Sequence, residues 1–185
     1  TINVVKTASP TTVPEGVATD VDFTYAVTNT SPGGAEDPLL LTTLSDDNAG
    51  GTPINLLLNS DLENQGSYGD FYTGGDTDGD RRVDAGETWT FAVVDQPITL
   101  DAGETRTNTV TAIGQDDELI ATNTATDTAT VTGAGQDPTI NVVKTASPTT
   151  VPEGVATDVD FTYAVTNTSP GGAEDPLLLT TLSDD

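Results

Sequence analysis

Apolar and polar residues alternate with a period of two along much of the chain. Val21, Phe23, Tyr25 and Val27 alternate with Asp22, Thr24, Ala26 and Thr28, which predicts a strand with one buried and one solvated face. Trp89, Phe91 and Val93 alternate with Thr88, Thr90 and Ala92 in the same way. The β-branched run Thr1 to Ala8 ends before Pro10 and Pro14 and reads as a strand entering a loop. After the turn-rich SPGGAEDP, Leu39 to Leu44 reads as another strand, and Ile54 to Leu58 as a buried strand or a helical turn. Thr105 to Ile113 and Leu119 to Val131 complete the pattern. In the second of these, Thr122, Thr124, Thr126, Thr128, Thr130 and Thr132 share one face. Such a face suits an exposed sheet surface, an O-glycan-bearing surface or a regular ligand-binding lattice. About seven strands with few helical signals predict an all-β fold, an immunoglobulin-like antiparallel β-sandwich.

Self-similarity at long range changes this picture. Residues Thr1 to Asp47 recur without a single change as Thr139 to Asp185, an offset of 138 residues. The expected organisation is one full repeat over 1–138, with a linker at about 132–138, followed by the first third of an identical repeat over 139–185. Without an initiator Met or a signal-like segment, the sequence is expected to be an internal piece of a longer or processed chain.

Composition narrows the function. Thirty acidic residues against five basic give a formal charge of -25, a surface that repels nucleic acid and anionic membranes. Leu, Ile, Val and Phe make up 41 of 185 residues, little above the ~20% at which highly charged chains become disordered. Self-repulsion therefore opposes compaction, and bound cations would relieve it. With no Cys and no His, disulfides, zinc sites and triads built on Cys or His are excluded, and no enzyme activity is expected. No apolar run approaches the ~20 residues that span a bilayer.

The most specific chemical signal is DTDGDRRVDAGETW, Asp76 to Trp89. Asp76, Asp78, Asp80, Asp84 and Glu87 occupy positions 1, 3, 5, 9 and 12 of a twelve-residue loop, with the Arg82 backbone carbonyl at position 7. That is the spacing of calcium ligands, because alternate side chains of a curled loop converge on one point. Gly79 stands at position 4, and Arg81 at position 6, where EF-hand loops place Gly. The polar Ser60 to Val83 segment is long for a connection, and calcium at its far end would tie it to the Trp89 strand.

Three stretches, VVKTASPTTVPEG, VDFTYAVTNTSPGG and above all GDTDGDRRVDAGETWTF (Gly75 to Phe91), resemble the immunoglobulin-like "conserved repeat" domains found in tandem on bacterial and archaeal surface proteins and adhesins. The resemblance implies an extracellular, non-catalytic β-sandwich that binds Ca2+ through Asp76, Asp78, Asp80, Asp84 and Glu87 and serves as a spacer, stalk or assembly unit.

Further candidates stand beside that loop. Asp46, Asp47, Asp116, Asp117 and Glu118, with Asp70 or Asp137, read as a second calcium site or as solvated turn residues. Asn29 and Asn167 begin N-glycosylation sequons. Tyr68, Phe71 and Tyr72 read as rings packed over the loop or as a carbohydrate platform. The expected function is an extracellular, calcium-braced structural repeat of a filament, fibre or cell-surface stalk, whose partners are neighbouring copies joined through linkers or by strand exchange. An adhesin module that binds glycans or proteins is the alternative.

Overall fold

The computed structural model describes residues 1–32, 37–170 and 175–185; the turn expected at 31–38 lies partly outside them. The fold is all-β, built from antiparallel sheets and one parallel strand pair, and no α-helix occurs among the described residues. Nine strands fall within the first 134 residues: β1 (Ile2–Ser9), β2 (Thr12–Pro14), β3 (Thr19–Asn29), β4 (Leu40–Asp46), β5 (Ile54–Asn55), β6 (Tyr72–Gly74), β7 (Thr88–Ile98), β8 (Thr105–Gln115) and β9 (Ala125–Ala134). One sheet has the order β1-β3-β7-β6 and the other β2-β9-β8-β4-β5, with β2 running parallel to β9.

Alternation places the core where the pattern requires it. Val21, Phe23, Tyr25 and Val27 of β3 are buried, as are Trp89, Phe91 and Val93 of β7. They join Leu44, Val110 and Val131 of the other sheet in a single core, an arrangement compatible with a β-sandwich. The exposed edge of β1 is occupied by side chains of the strand β9 and the segment before it. Asn123 exchanges two hydrogen bonds with the Ile2 backbone, and Asp127 accepts from Lys6 N–H. Blunting an edge in this way protects it from unwanted pairing.

Three expectations need correcting. The last strand begins at Ala125 rather than Leu119, because Asp116 to Ala121 closes a turn held by Asp116 N–H to Ile120 O and Leu119 N–H to Asp116 O. The same strand continues through Thr132, Gly133 and Ala134, so the connection to the repeated segment is shorter than 132–138. Ile54 to Leu58 supplies only two strand residues before a turn.

The repeated segment forms β10 (Ile140–Ser147) and β11 (Asp160–Asn167), which pair only with each other in a two-stranded sheet. Their register, Val142↔Val165 and Lys144↔Tyr163, reproduces Val4↔Val27 and Lys6↔Tyr25. No helix among the described residues is long and apolar enough to cross a membrane.

Candidate metal centre

Two fixed points hold the second half of the acidic loop. Val83, fully buried, pairs with Leu39 through two backbone hydrogen bonds, while Glu87 leads directly into β7. Between β6 and Val83 the chain curls on itself. Asp76 accepts from Gly79 N–H at 2.6 Å and Arg81 N–H at 2.9 Å, Asp78 from Asp80 N–H, and Asp80 from Arg82 N–H. These side-chain-to-backbone bonds hold the loop in a tight spiral. Arg81 takes φ 63°, the left-handed conformation that favours glycine. Position 6 thus makes the sharp turn although its residue is Arg. Its guanidinium donates to Gly66 O and Gly79 O and lies 4.4 Å from the Tyr68 ring centre, contacts that glycine could not make.

Carboxylate oxygens of Asp76, Asp78 and Asp80 come within 4.8 Å of one another. Asp84 and Glu87 belong to the same electrostatic field. Burial, followed by the charges of Asp80, Asp78, Glu87 and Asp76, pushes Asp84 above the ordinary carboxylate value. Burial, then Asp78, Asp76 and Glu87, likewise raises Asp80 against the pull of the Arg82 N–H. Asp76 moves the other way. Burial works to raise it, but hydrogen bonds from Tyr68 and from the N–H groups of Arg81 and Gly79 prevail.

Glu87 occupies a different position from the other four acids. Its carboxylate is buried and accepts from Thr77 N–H, Thr77 hydroxyl, Asp84 N–H and the Trp89 indole N–H. Burial is outweighed by these bonds, and its pKa falls. Glu87 therefore ties both ends of the loop to β7 without the help of an ion. The residues present fit a hard cation: three converging aspartates, with two more acids in the same field, offer it oxygen ligands.

The aromatic side chains lie beneath this loop. Tyr68 and Tyr72 stack at 4.3 Å between ring centres, and both meet Trp89 edge-on. Tyr68 donates to Asp76, while the Tyr72 hydroxyl accepts from Asp76 N–H. Burial, then its bond to the Asp76 carboxylate, raises Tyr68 to about 12. Both hydroxyls are thus engaged in holding position 1 of the loop. Phe71 packs against the core as well.

The other candidate residues are dispersed. Asp46 is buried, paired with Lys6 at 2.6 Å and hydrogen-bonded by Tyr25, so it is not available as a surface ligand. Asp47 accepts from Ala49 N–H and Thr109 N–H, capping a 3-10 turn at Asn48–Gly50. Asp70 accepts from Asn59. Asp116 groups with Asp37 and Glu118 rather than with Asp46, Asp47 or Asp70, and neither Asp117 nor Asp137 joins that group. Asn29 is buried, and its amide nitrogen, where a glycan would attach, donates to Asp37 O and Val83 O. In the folded first unit it is a structural clamp. Asn167 makes the equivalent bond to Asp175 O but is exposed.

Sequence reading missed Lys6 as a core residue. The signal was there: Ile2, Val4 and Lys6 fall on one face of β1, and Lys at an apolar-face position requires a buried acid nearby. Compared with protein-family models and with curated proteins, the chain matches none.

Proposed function

We propose that this chain is an extracellular structural repeat protein: an immunoglobulin-like β-sandwich unit, braced by calcium and joined to neighbouring copies in a filament, fibre or cell-surface stalk. The convergence of Asp76, Asp78 and Asp80 within 4.8 Å on a loop anchored to β7 carries the reading. The strand order supports the immunoglobulin-like assignment. β1-β3-β7-β6 corresponds to A-B-E-D, and β9-β8-β4-β5 to G-F-C-C′. The unchanged recurrence of Thr1 to Asp47 at Thr139 to Asp185 supports repetition.

Asp76, Asp78, Asp80, Asp84, Glu87 and the Arg82 carbonyl would hold the ion. Bound calcium supplies two positive charges to a cluster whose own charge opposes folding. The chain's residues do the rest: Val83 and Glu87 anchor the second half of the loop, and Tyr68 and Tyr72 hold Asp76 in place. The adhesin alternative has less support, since the rings that would form a glycan platform are packed against Trp89 and Asp76.

Calorimetric titration of the EDTA-dialysed chain with calcium chloride, with thermal melts, tests the brace. Extracellular modules bind calcium at ~10⁻⁴ to 10⁻³ M. At ten times Kd the ion adds about 1.4 kcal/mol, a rise of roughly 3 to 6 °C in melting temperature. A melting temperature indifferent to calcium and EDTA would overturn the reading. Electron microscopy of native material tests assembly, for which fibres with a regular axial repeat are expected.

A further inference from the structure

Three Asp-Pro bonds occur in the chain, at Asp37–Pro38, Asp137–Pro138 and Asp175–Pro176, and the fold treats the first unlike the others. A peptide bond of this kind is open to attack from its own side chain. The carboxylate reaches the backbone carbonyl carbon through a five-membered ring, with no outside nucleophile, and the prolyl nitrogen, which bears no N–H, leaves as a secondary amine.

Around Asp37 the structure supplies what such a reaction needs. The Asp37 carbonyl oxygen accepts a hydrogen bond from Asn29 Nδ2 at 2.7 Å, a distance at which a donor stabilises an oxyanion. Asn29 is 9% exposed and held in orientation, because the same nitrogen donates to Val83 O at 3.0 Å and its Oδ1 accepts from Ser31 N–H. On the far side of the bond, Leu39 is fixed by two backbone hydrogen bonds to Val83. The Asp37–Pro38 bond is thus gripped from both sides. Carboxylate oxygens of Asp116 and Glu118 lie within 4.8 Å of one on Asp37. Asp117, hydrogen-bonded to Glu118, adds a fourth acid, and no ion pair among the described residues involves any of the four. Carboxylates so close do not all ionise freely, so on mild acidification one holds a proton while another stays charged.

We infer that this chain cleaves its own Asp37–Pro38 bond, with Asp37 as the nucleophile and Asn29 as the oxyanion donor. Asp37 Oδ attacks its own carbonyl carbon, a C–O bond forms, and Asn29 Nδ2 holds the negative charge that develops on the carbonyl oxygen. The C–N bond then breaks. Its electron pair stays with the Pro38 nitrogen, which takes the proton shared by Asp116 and Glu118 and departs as an amine. Asp37 is left as a five-membered anhydride, which water opens to two carboxyl groups, and the proton released there restores the one transferred. One water enters, and nothing is oxidised or reduced. The two fragments stay together, because β3 keeps its pairing with β7 from Thr19 to Thr28. Load on such a unit would pass through sheet pairing in place of the covalent chain.

The test is incubation of the folded 185-residue chain at about pH 5, followed by denaturation and mass spectrometry. Fragments 1–37 and 38–185 are expected, the second beginning at Pro38, with masses that sum to the chain plus one water. The other two bonds are controls. Asp175 keeps the equivalent hydrogen bond from Asn167 at 2.7 Å, but Asn167 is exposed and no counterparts of Asp116 and Glu118 follow it in this sequence, while Asp137–Pro138 lies in an exposed connection. Cleavage at 37–38 should be about tenfold or more faster than at either control, and than at the same bond in urea. Equal rates at the three bonds, or an equal rate in urea, overturn the inference, since the cut is then the ordinary lability of the sequence. An intact chain overturns it as well. Asp37→Ala should leave the bond whole; a cut there in that variant means a contaminating protease and overturns the mechanism. Asp116→Asn combined with Glu118→Gln should slow cleavage about tenfold or more at an unchanged melting temperature, and an unchanged rate removes the two acids from the mechanism. Asn29→Ala should slow cleavage to the rate in urea, and cleavage at the full rate in the folded variant removes Asn29 from it. Should that variant fail to fold, the comparison of the unaltered chain with and without urea still decides the inference.

Discussion

At the scale of single residues, the acidic loop contains two kinds of carboxylate whose titrations pull in opposite directions. Asp76 and Glu87 are held below the ordinary value by hydrogen bonds that overcome burial. They therefore stabilise the fold above the unfolded carboxylate range, and this stability is lost as pH falls through their depressed values. Asp80 and Asp84 are raised by burial and by their neighbours. In their charged form they destabilise the folded chain, and protonation relieves it as pH falls into their raised range. Without calcium, urea midpoints are expected to rise from neutral pH toward the top of the carboxylate range and to fall below about pH 4. With saturating calcium the rise should vanish, because the ion neutralises what the proton otherwise would. Midpoints that fall monotonically from pH 7 in EDTA would contradict this. Substitution separates the two kinds directly. Asp80→Asn should weaken calcium binding by tenfold or more while leaving the EDTA-treated chain as stable as before or slightly more so. Glu87→Ala should instead cost about 3 kcal/mol even without calcium, since four donors lose their acceptor, and should weaken calcium binding as well. Calorimetric titration and urea unfolding together check both.

At the scale of elements, the attachment of the loop to the sheet depends on a backbone contact that no larger residue fits. Gly75, at φ 123°, follows β6 so closely against β7 that an added Cβ would fall 2.1 Å from Thr88 O and 2.7 Å from Trp89 Cα. Gly75→Ala is expected to destabilise by about 3 kcal/mol or more, through the clash and the positive φ together. Its neighbour provides the control. Gly74 also has a positive φ, but a Cβ there meets nothing within 4 Å, so Gly74→Ala should cost only about 1 to 2 kcal/mol of backbone strain. Equal losses in urea unfolding would refute the close-approach account. The alternating strands β3 and β7 were legible in the sequence because period-two burial leaves a direct trace in residue type. The three-residue β2 and β6 were not, since strands that short carry too few side chains to establish a period. The start of β9 was misplaced for a related reason: threonine alternates from Thr122 onward, yet the Asp116 turn and the Thr122 hydroxyl bond to Gly114 N–H delay pairing to Ala125. For the candidate site, the convergence of Asp76, Asp78 and Asp80 was legible because their alternate spacing on a curled loop brings them together. The roles of Glu87, Asp46 and Asn29 were not, since each depends on partners distant in the chain or on burial.

At the scale of the whole molecule, one sequence is present in two environments. Phe23 is 3% exposed and Phe161 50%; Tyr25 is 1% exposed and Tyr163 36%. The amino acids and the strand register are the same, so the difference lies in what covers them. In the first unit, the face of β1 and β3 packs against residues contributed by segment 48–138, including Trp89, Val110 and Val131. Isolated two-stranded ribbons are marginally stable in water, and Ile140, Val142, Phe161, Tyr163 and Val165 remain exposed on β10 and β11. Covering each would contribute about 1.5 to 3 kcal/mol before ordering costs. A chain cut after Pro138 should therefore unfold at the same urea concentration as the 185-residue chain, yet bind less of a dye that reports exposed apolar surface. A chain in which a second copy of residues 48–138 follows Asp185 should also bind less dye, and its unfolding signal should approximately double at an unchanged midpoint. This follows because a completed second unit is chemically the same as the first. A lower midpoint after cutting at Pro138 would mean instead that β10 and β11 already support the first unit. An extended chain that keeps its dye binding would mean that repetition of sequence does not produce repetition of fold.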